Sequence, residues 1–325
     1  DRNKNIVSVK NLIDNVTYEE SYDVLILSPG AKPIMPRAID GIDKKHVFSV
    51  RNVEDIVKIK TYLDKNNIQD VAVVGGGFIG IEVAENLKLA DKNVSMIEAA
   101  PQVLMPLDED MAQIVHKELH MKGIDLILND GVQSIQDDHI LLASDKKVKA
   151  DAVIMAIGVM PEVSLAKDAG LELGQFGAIS VNHHYQTSDP SIYALGDAIE
   201  ETHMLTHKKT RLTMAGPAQR QAKVAANHIY GDTVSPKGVI GASILQVFDQ
   251  SVAFTGLNSK QLDDLGIKYQ TAFVIPEDKV GIMPDMNMMF FKLIYAYPSG
   301  KVLGAQAIGK GNVDKRIDVI STAIR

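Results

Sequence analysis

The sequence predicts an α/β protein with parallel sheets that ends in an α+β domain built on an antiparallel sheet. Three observations lead there. Short apolar runs at residues 23–27, 71–74, 151–156 and 192–195 each stop at a glycine-bearing turn (Gly30, Gly75, Gly158 and Gly196), as buried parallel strands do. Helical patterns stand between them. From Gly238 onward the spacing tightens to strand-like runs at 244–248, 251–255, 269–275, 289–296 and 302–308, the last two joined by a turn at Pro298, Ser299 and Gly300.

In chain order, residues 1–50 read as the end of a sheet domain, with strand-like pieces at 6–9 and a strand at 23–27 that stops at Ser28, Pro29 and Gly30. Residues 51–157 read as one α/β unit. A helix covers 53–66 with Val53, Ile56, Val57 and Ile59 as its apolar side. A second helix is capped by Asp108, carries Met111, Val115 and Leu119 at four-residue spacing, and is closed by Gly123. Residues 132–148 form a small antiparallel meander. Residues 158–237 hold the junction at Gly196 and Asp197 and a helix over 217–228, with Pro217 in the first turn, where no N–H is required. Residues 238–325 form the α+β domain, with a helix over 259–265 and another starting near Asn312.

Composition bounds the function. The chain has 325 residues, too many for one ordinary core. Its net charge of −7 argues against a general nucleic-acid or anionic-membrane surface, and no apolar run approaches a membrane span. There is no cysteine, so these residues hold neither a disulfide nor a thiolate metal site, and the histidines lack metal spacing. His183 and His184 are expected on opposite faces of a strand and so diverge.

The turn after residues 71–74 carries the chemistry. Gly75, Gly77 and Gly80 stand in the pattern G-x-G-x-x-G between an apolar strand and an apolar-faced helix, and Glu98 ends the following strand. That layout is a dinucleotide site. Gly75 permits the tight turn, Gly77 lets the backbone approach a pyrophosphate, and Gly80 lets helix and strand pack closely. The helix N-terminus offers N–H groups and partial positive charge to phosphate. Glu98 would accept hydrogen bonds from the adenosine ribose. Ala99, Ala100 and Pro101 offer no cation for a 2′-phosphate, which favours NADH over NADPH. The competing reading is a plain strand–turn–helix connection.

These blocks, in this order, resemble the flavin-dependent pyridine nucleotide-disulfide oxidoreductases. Residues 27–33 (LSPGAKP) resemble the crossing from flavin to nicotinamide domain, residues 75–85 the nicotinamide loop, and residues 156–161 (AIGVMP) the return crossing. Residues 192–197 (IYALGD) and the helix after Ala215, Gly216 and Pro217 resemble flavin-facing segments. Within the family the likeness is nearest to coenzyme A disulfide reductases and the related NADH oxidases and peroxidases, through residues 247–249, 255–258, 304–307 and 313–316.

The resemblance implies a flavoprotein with two Rossmann-like dinucleotide-binding domains, for FAD and NAD, plus a C-terminal α+β dimerisation domain. Residues 1–50 and 158–237 would be flavin-domain segments, 51–157 the NAD(H) domain and 238–325 the dimerisation domain. It implies NADH contacts at Gly75, Gly77, Phe78, Ile79, Gly80, Glu82, Glu98 and Gly158. Phe78 would shield the flavin, against a rival reading as a packed core ring. Glu82 would lie near the nicotinamide, against a rival reading as a helix-dipole acid. FAD contacts would be Ser28, Pro29, Gly30, Gly196, Asp197, Met214, Ala215 and Gly216. Arg220 and Lys223 would attract an anionic substrate, with ordinary surface charge as the rival. No metal is implied.

Two departures follow. No second glycine loop precedes residue 23 and no redox cysteine exists, so no catalytic residue is assigned here; both features are expected upstream of Asp1, and the chain is expected to be truncated at both ends, inactive alone and weak in holding FAD. The segment 282–285 also lacks the tyrosines that coenzyme A disulfide reductases carry there. The expected activity is NADH-dependent disulfide reduction by a cytoplasmic homodimer. The alternatives are an NADH oxidase or peroxidase, with oxygen or peroxide as acceptor, a cysteine-free NADH–ferredoxin reductase type, and a non-catalytic NADH-binding dimerising module.

Overall fold

The computed structural model describes residues 1–232 and 236–325. By internal contacts the chain divides into two compact units, Asp1–Lys32 with Val159–Ile240, and Pro33–Gly158 with Gly241–Arg325. Residues 33–50, read from sequence with the first segment, lie in the second unit, where Val47–Ser49 is the edge strand of its parallel sheet.

In the first unit, Ile6–Lys10 and Thr17–Ser21 pair as an antiparallel hairpin. Leu25–Leu27 pairs in parallel with Ile192–Ala194, with Leu27 opposite Ala194. Gly30 and Gly196 therefore follow the C-terminal ends of neighbouring parallel strands, the usual ligand edge of an α/β sheet. The core joins Leu27, Ile179, Ile192, Ala194, Ala198 and Ala225. The strand at 25–27 is less covered than expected: Val24 and Ile26 are exposed.

In the second unit, five parallel strands run in the order Val47–Ser49, Ala152–Met155, Asp70–Val74, Asn93–Ile97, Asp125–Ile127. Their interior positions are almost all β-branched or apolar because both faces are covered. The helices are α1 (Val53–Lys65), α2 (Phe78–Leu89) and α3 (Glu109–Met121). The meander of Val132–Ile135, His139–Leu142 and Lys147–Lys149 is antiparallel, as its alternation predicts. A second sheet runs Ala242–Val247, Gln250–Gly256, Val302–Gly309, Met289–Ala296, Tyr269–Val274, antiparallel throughout. Leu245, Val247, Val252 and Ile308 of that sheet share one core with Ile81, Ala84 and Met111 of α2 and α3.

Polar contacts reinforce that shared core. Glu85 of α2 accepts the N–H of Phe248 at 2.9 Å, and Lys122 pairs with Asp249 at 2.6 Å. Asp108 stands at the N-cap of α3, but its side chain makes no cap hydrogen bond. It accepts instead from the N–H and hydroxyl of Ser259, at 2.8 and 2.7 Å, and pairs with Lys292 at 2.8 Å. The distant partners outcompete the local N–H groups for this carboxylate.

The α1 helix departs from expectation on its apolar face. Ile59 and Leu63 are buried, while Val53, Ile56 and Val57 are exposed. The helix lies over the edge strand Val47–Ser49, with the rings of Phe48 and Tyr62 5.1 Å apart, so only its later turns find cover. His183 and His184 also depart. They sit in a turn, not a strand, with rings 4.2 Å apart, and His184 stacks on His228 at 4.0 Å.

Candidate functional site

The glycine loop begins where Asp70–Val74 ends. Gly75 has φ +109, and a Cβ there would lie 2.5 Å from the carbonyl oxygen of Ala156. Both its backbone and its packing demand glycine. A Cβ on Gly80 would run into the carbonyl of Gly75, so helix and strand approach only without one. Gly77 differs. Its backbone is extended (φ −81, ψ −171) and a Cβ would meet nothing within 4 Å. Neither conformation nor packing asks for glycine there, so the space over this residue is open. Gly77 is also the N-cap of α2 and supplies no side-chain cap, so the first N–H groups of the helix face the loop without a side-chain acceptor.

Glu98 follows Asn93–Ile97 and is half-buried. One carboxylate oxygen accepts the N–H of Gly76 at 2.6 Å, the other that of Ala100 at 2.8 Å. Phe78 and Ile79, the first residues of α2, are half-buried, and the Phe78 ring lies 5.7 Å from that of Phe254. Glu82 is exposed beyond the first turn of α2, which contains no acid. A helix-dipole role fades at that depth. Gly158 is exposed with φ +119, two residues past Ala156 and beside Gly75 on the same sheet edge.

The other candidate residues lie in the first unit. Ser28 and Pro29 are exposed, and Gly30 has φ +76 with its carbonyl accepting the N–H of Glu162 at 3.0 Å. Gly196 has φ +76 and opens a short 3₁₀ turn that contains the half-buried Asp197. Met214 is the N-cap of a helix at Ala215–Ile229 with no side-chain cap and no acid in its first turn; Ala215 and Gly216 are exposed there. Arg220 and Lys223 are exposed on this helix, three residues apart and so on neighbouring positions of one side. The geometry gathers Gly196 and this helix, through Gln221. It gathers Gly75, Gly77, Gly80, Glu98 and Gly158 separately, in the second unit.

Residues 1–222 match the pyridine nucleotide-disulphide oxidoreductase family, and residues 243–325 match the dimerisation domain of the same family. The chain belongs to the pyridine nucleotide-disulphide oxidoreductase family. It is 38% identical to an NADH oxidase of Methanocaldococcus jannaschii over 96% of this chain and 70% of that protein. It is 32% identical to a coenzyme A disulfide reductase of Staphylococcus epidermidis over 98% of this chain and 72% of that protein. The reduced CoADR-RHD structure of Bacillus anthracis superposes with a TM-score of 0.97 at 45% identity, covering 99% of this chain. The chain spans 58% of the length of that protein, less than two thirds.

Members of the pyridine nucleotide-disulphide oxidoreductase family use FAD and NAD(P)H. The residues present fit both groups in part. The open Gly77 cradle and the uncapped N-terminus of α2 suit a pyrophosphate. The uncapped N-terminus at Ala215 suits an electron-rich ring edge. No cluster of three metal-capable side chains occurs among the described residues, and none of their helices is long and apolar enough to cross a membrane.

Sequence reasoning passes over the residues that hold these blocks in place. Gln221 accepts the N–H of Gly196 at 2.7 Å and donates to Glu201 at 2.7 Å, and Tyr185 donates to the same Glu201 oxygen at 3.1 Å. Burial raises the Glu201 carboxyl above its ordinary value, against the hydrogen bonds from Gln221 and Tyr185. One signal was legible: Gln221 stands in a buried stripe with Pro217 and Ala225 at four-residue spacing, a polar residue where the period asks for an apolar one.

Proposed function

We propose that this chain carries the nucleotide-binding part of a homodimeric, FAD-dependent NADH:disulfide oxidoreductase whose acceptor is a low-molecular-weight disulfide such as coenzyme A disulfide. The observation that carries the donor half is Gly77, a glycine that neither its backbone conformation nor its packing requires, in the loop whose Gly76 N–H is accepted by Glu98. Glu98 would repel a 2′-phosphate, and Ala99, Ala100 and Pro101 supply no compensating cation, which supports NADH over NADPH. The likeness to a coenzyme A disulfide reductase supports the acceptor. The likeness to an NADH oxidase supports a second reading, in which oxygen or peroxide takes the disulfide's place.

FAD, when bound, supplies the hydride acceptance and electron transfer that no side chain provides. The residues of this chain bind and orient. The N–H groups at Gly77–Ile79 hold pyrophosphate, Glu98 holds the ribose hydroxyls, and Gly158 leaves room beside the nicotinamide. Ser28, Pro29, Gly30, Gly196 and Asp197 line the flavin, with Asp197 as acceptor for ribityl hydroxyls. The helix N-terminus at Met214, Ala215 and Gly216 favours negative charge on the flavin ring edge. Arg220 and Lys223 draw in an anionic substrate. The 325 residues contain no cysteine, so the step that cleaves the disulfide is assigned to none of them.

Calorimetric titration with NADH and NADPH tests the donor. NADH should bind at least about tenfold more tightly, a difference of roughly 1.4 kcal/mol; equal affinities would remove Glu98 from the site. Turnover of the FAD-loaded full-length protein, which would supply the redox cysteine, with coenzyme A disulfide, peroxide and oxygen tests the acceptor. Activity with oxygen or peroxide alone would replace the disulfide reading by the second one.

A further inference from the structure

The loop that follows Glu98 reaches back to the glycine turn, and a buried histidine holds it there. The N–H of Val103 donates to Nε2 of His116 at 3.2 Å. His116 is 5% exposed, on the buried side of α3. Because Nε2 accepts, the ring proton of the neutral imidazole sits on Nδ1, which faces Oε1 of Gln113 at 3.4 Å. The next residue, Leu104, has φ +49 and donates its N–H to the carbonyl of Gly76 at 2.9 Å. The Val103 side chain is fully buried, and its Cγ1 lies 2.7 Å from the point a Cβ on Gly76 would occupy. Gly76 in turn donates to Glu98. One side chain on α3 thus secures the two residues that back the middle of the glycine loop.

We propose that His116 is a positioning residue for dinucleotide binding: through Val103 and Leu104 it sets the Gly76–Glu98 geometry, and protonating its ring releases that geometry and weakens nucleotide affinity. This rests on the reading of Gly75–Gly80 and Glu98 as the NADH site. Protonation turns Nε2 from acceptor to donor and sets it against the Val103 N–H, leaving a buried donor without a partner.

Burial first, and the charge of His120 second, hold the imidazole below the usual histidine value. On its own helix, which also carries Glu109, Asp110, Lys117 and Glu118, His120 is the group that acts on it. The loop at 99–107 carries no titratable side chain. Of the strands packed on α3, Ala242–Val247 and Val302–Gly309 carry none, and Asp125–Ile127 carries only Asp125, which is exposed and takes a hydrogen bond from Ser95 at 3.5 Å. The lowered value keeps the neutral form, and with it the loop, at neutral pH. Affinity declines as pH falls through that lowered value, on the acid side of about 6.5.

The test is calorimetric titration of the chain with NAD⁺ from about pH 8 to about pH 5, with thermal unfolding followed in parallel. The parent should bind with constant affinity above about pH 7 and lose roughly fivefold as pH falls through the lowered His116 value, the loss expected for one buried donor. His116→Leu should already be weakened roughly fivefold at about pH 7.5, with no further acid dependence, for the same reason. His116→Gln, whose amide oxygen accepts the same N–H without titrating, should bind like the parent at neutral pH and stay flat.

Parent-like affinity of His116→Leu at neutral pH, or a parent-like acid loss in His116→Gln, overturns the proposal. Should His116→Leu fail to fold, the pH profile of His116→Gln decides alone. Glu98→Ala separates the two levels. If it and His116→Leu both leave affinity unchanged, the NADH site itself is misplaced. If only His116→Leu does, the role of His116 fails and the site stands.

Discussion

The backbone N–H of Gly76 donates to a carboxylate oxygen of Glu98 across 2.6 Å, while the other oxygen of Glu98 takes the N–H of Ala100 at 2.8 Å. The acid is therefore fixed by the loop it serves. Two charge-assisted bonds hold it at the end of its strand. Glu98→Ala should weaken NADH binding by roughly tenfold or more, given about 1.5–3 kcal/mol for a hydrogen bond to a charged group. Glu98→Gln keeps one acceptor and should recover part of the loss while narrowing the gap between NADH and NADPH. Titration with both nucleotides checks this; parent-like NADH affinity in Glu98→Ala would count against it.

Gly77 and Gly80 should separate binding from folding. A methyl group on Gly77 meets nothing, so Gly77→Ala should leave the urea midpoint nearly unchanged and lower NADH affinity. A methyl group on Gly80 meets the Gly75 carbonyl, so Gly80→Ala should destabilise the protein by about 1–3 kcal/mol, the usual range for overpacking. Equal loss of stability in both variants would show that Gly77 is also a packing glycine.

Lys292 lies buried between Asp108 and Asp110, at 2.8 Å from each. Burial opposes ionisation of Asp108, yet the hydrogen bonds from Lys292 and Ser259 outweigh it and hold its carboxyl below the ordinary value. Burial likewise opposes the charge on Lys292, and its two carboxylate partners outweigh that and raise it. The depressed acid contributes stability that is present above about pH 3.9 and is lost as pH falls through its folded value. The raised base contributes stability that is present below about pH 10.4 and is lost as pH rises through its folded value. Lys292→Ala strands the Asp108 charge and should cost about 3–5 kcal/mol at neutral pH. Urea unfolding across pH should show a plateau in the parent that is lower in the variant, with a weaker acid decline.

Much of this was legible one segment at a time. The strands before Gly75, Gly158 and Gly196, the stripe of Met111, Val115 and Leu119, and the turn at Gly300 all form where their patterns predict. The exceptions have a common cause. Val53, Ile56 and Val57 have the spacing of a buried face, but the packing beneath α1 covers its later turns, at Ile59, Tyr62 and Leu63. Asp108 has the position of a cap, but Ser259 and Lys292 claim its carboxylate. His183 and His184 would diverge on a strand, but Tyr185 at φ +68 makes a turn and brings the rings together.

By itself the sequence determined the family, the order of strands and helices, and the turns that only glycine can make, because sterics and periodicity act within a few residues. The tertiary structure alone decided which remote group meets which: His116 with Val103, Gln221 with Gly196, Glu85 with Phe248, Lys292 with Asp108. A buried polar atom needs a partner wherever the fold supplies one, and no local pattern records where that partner lies.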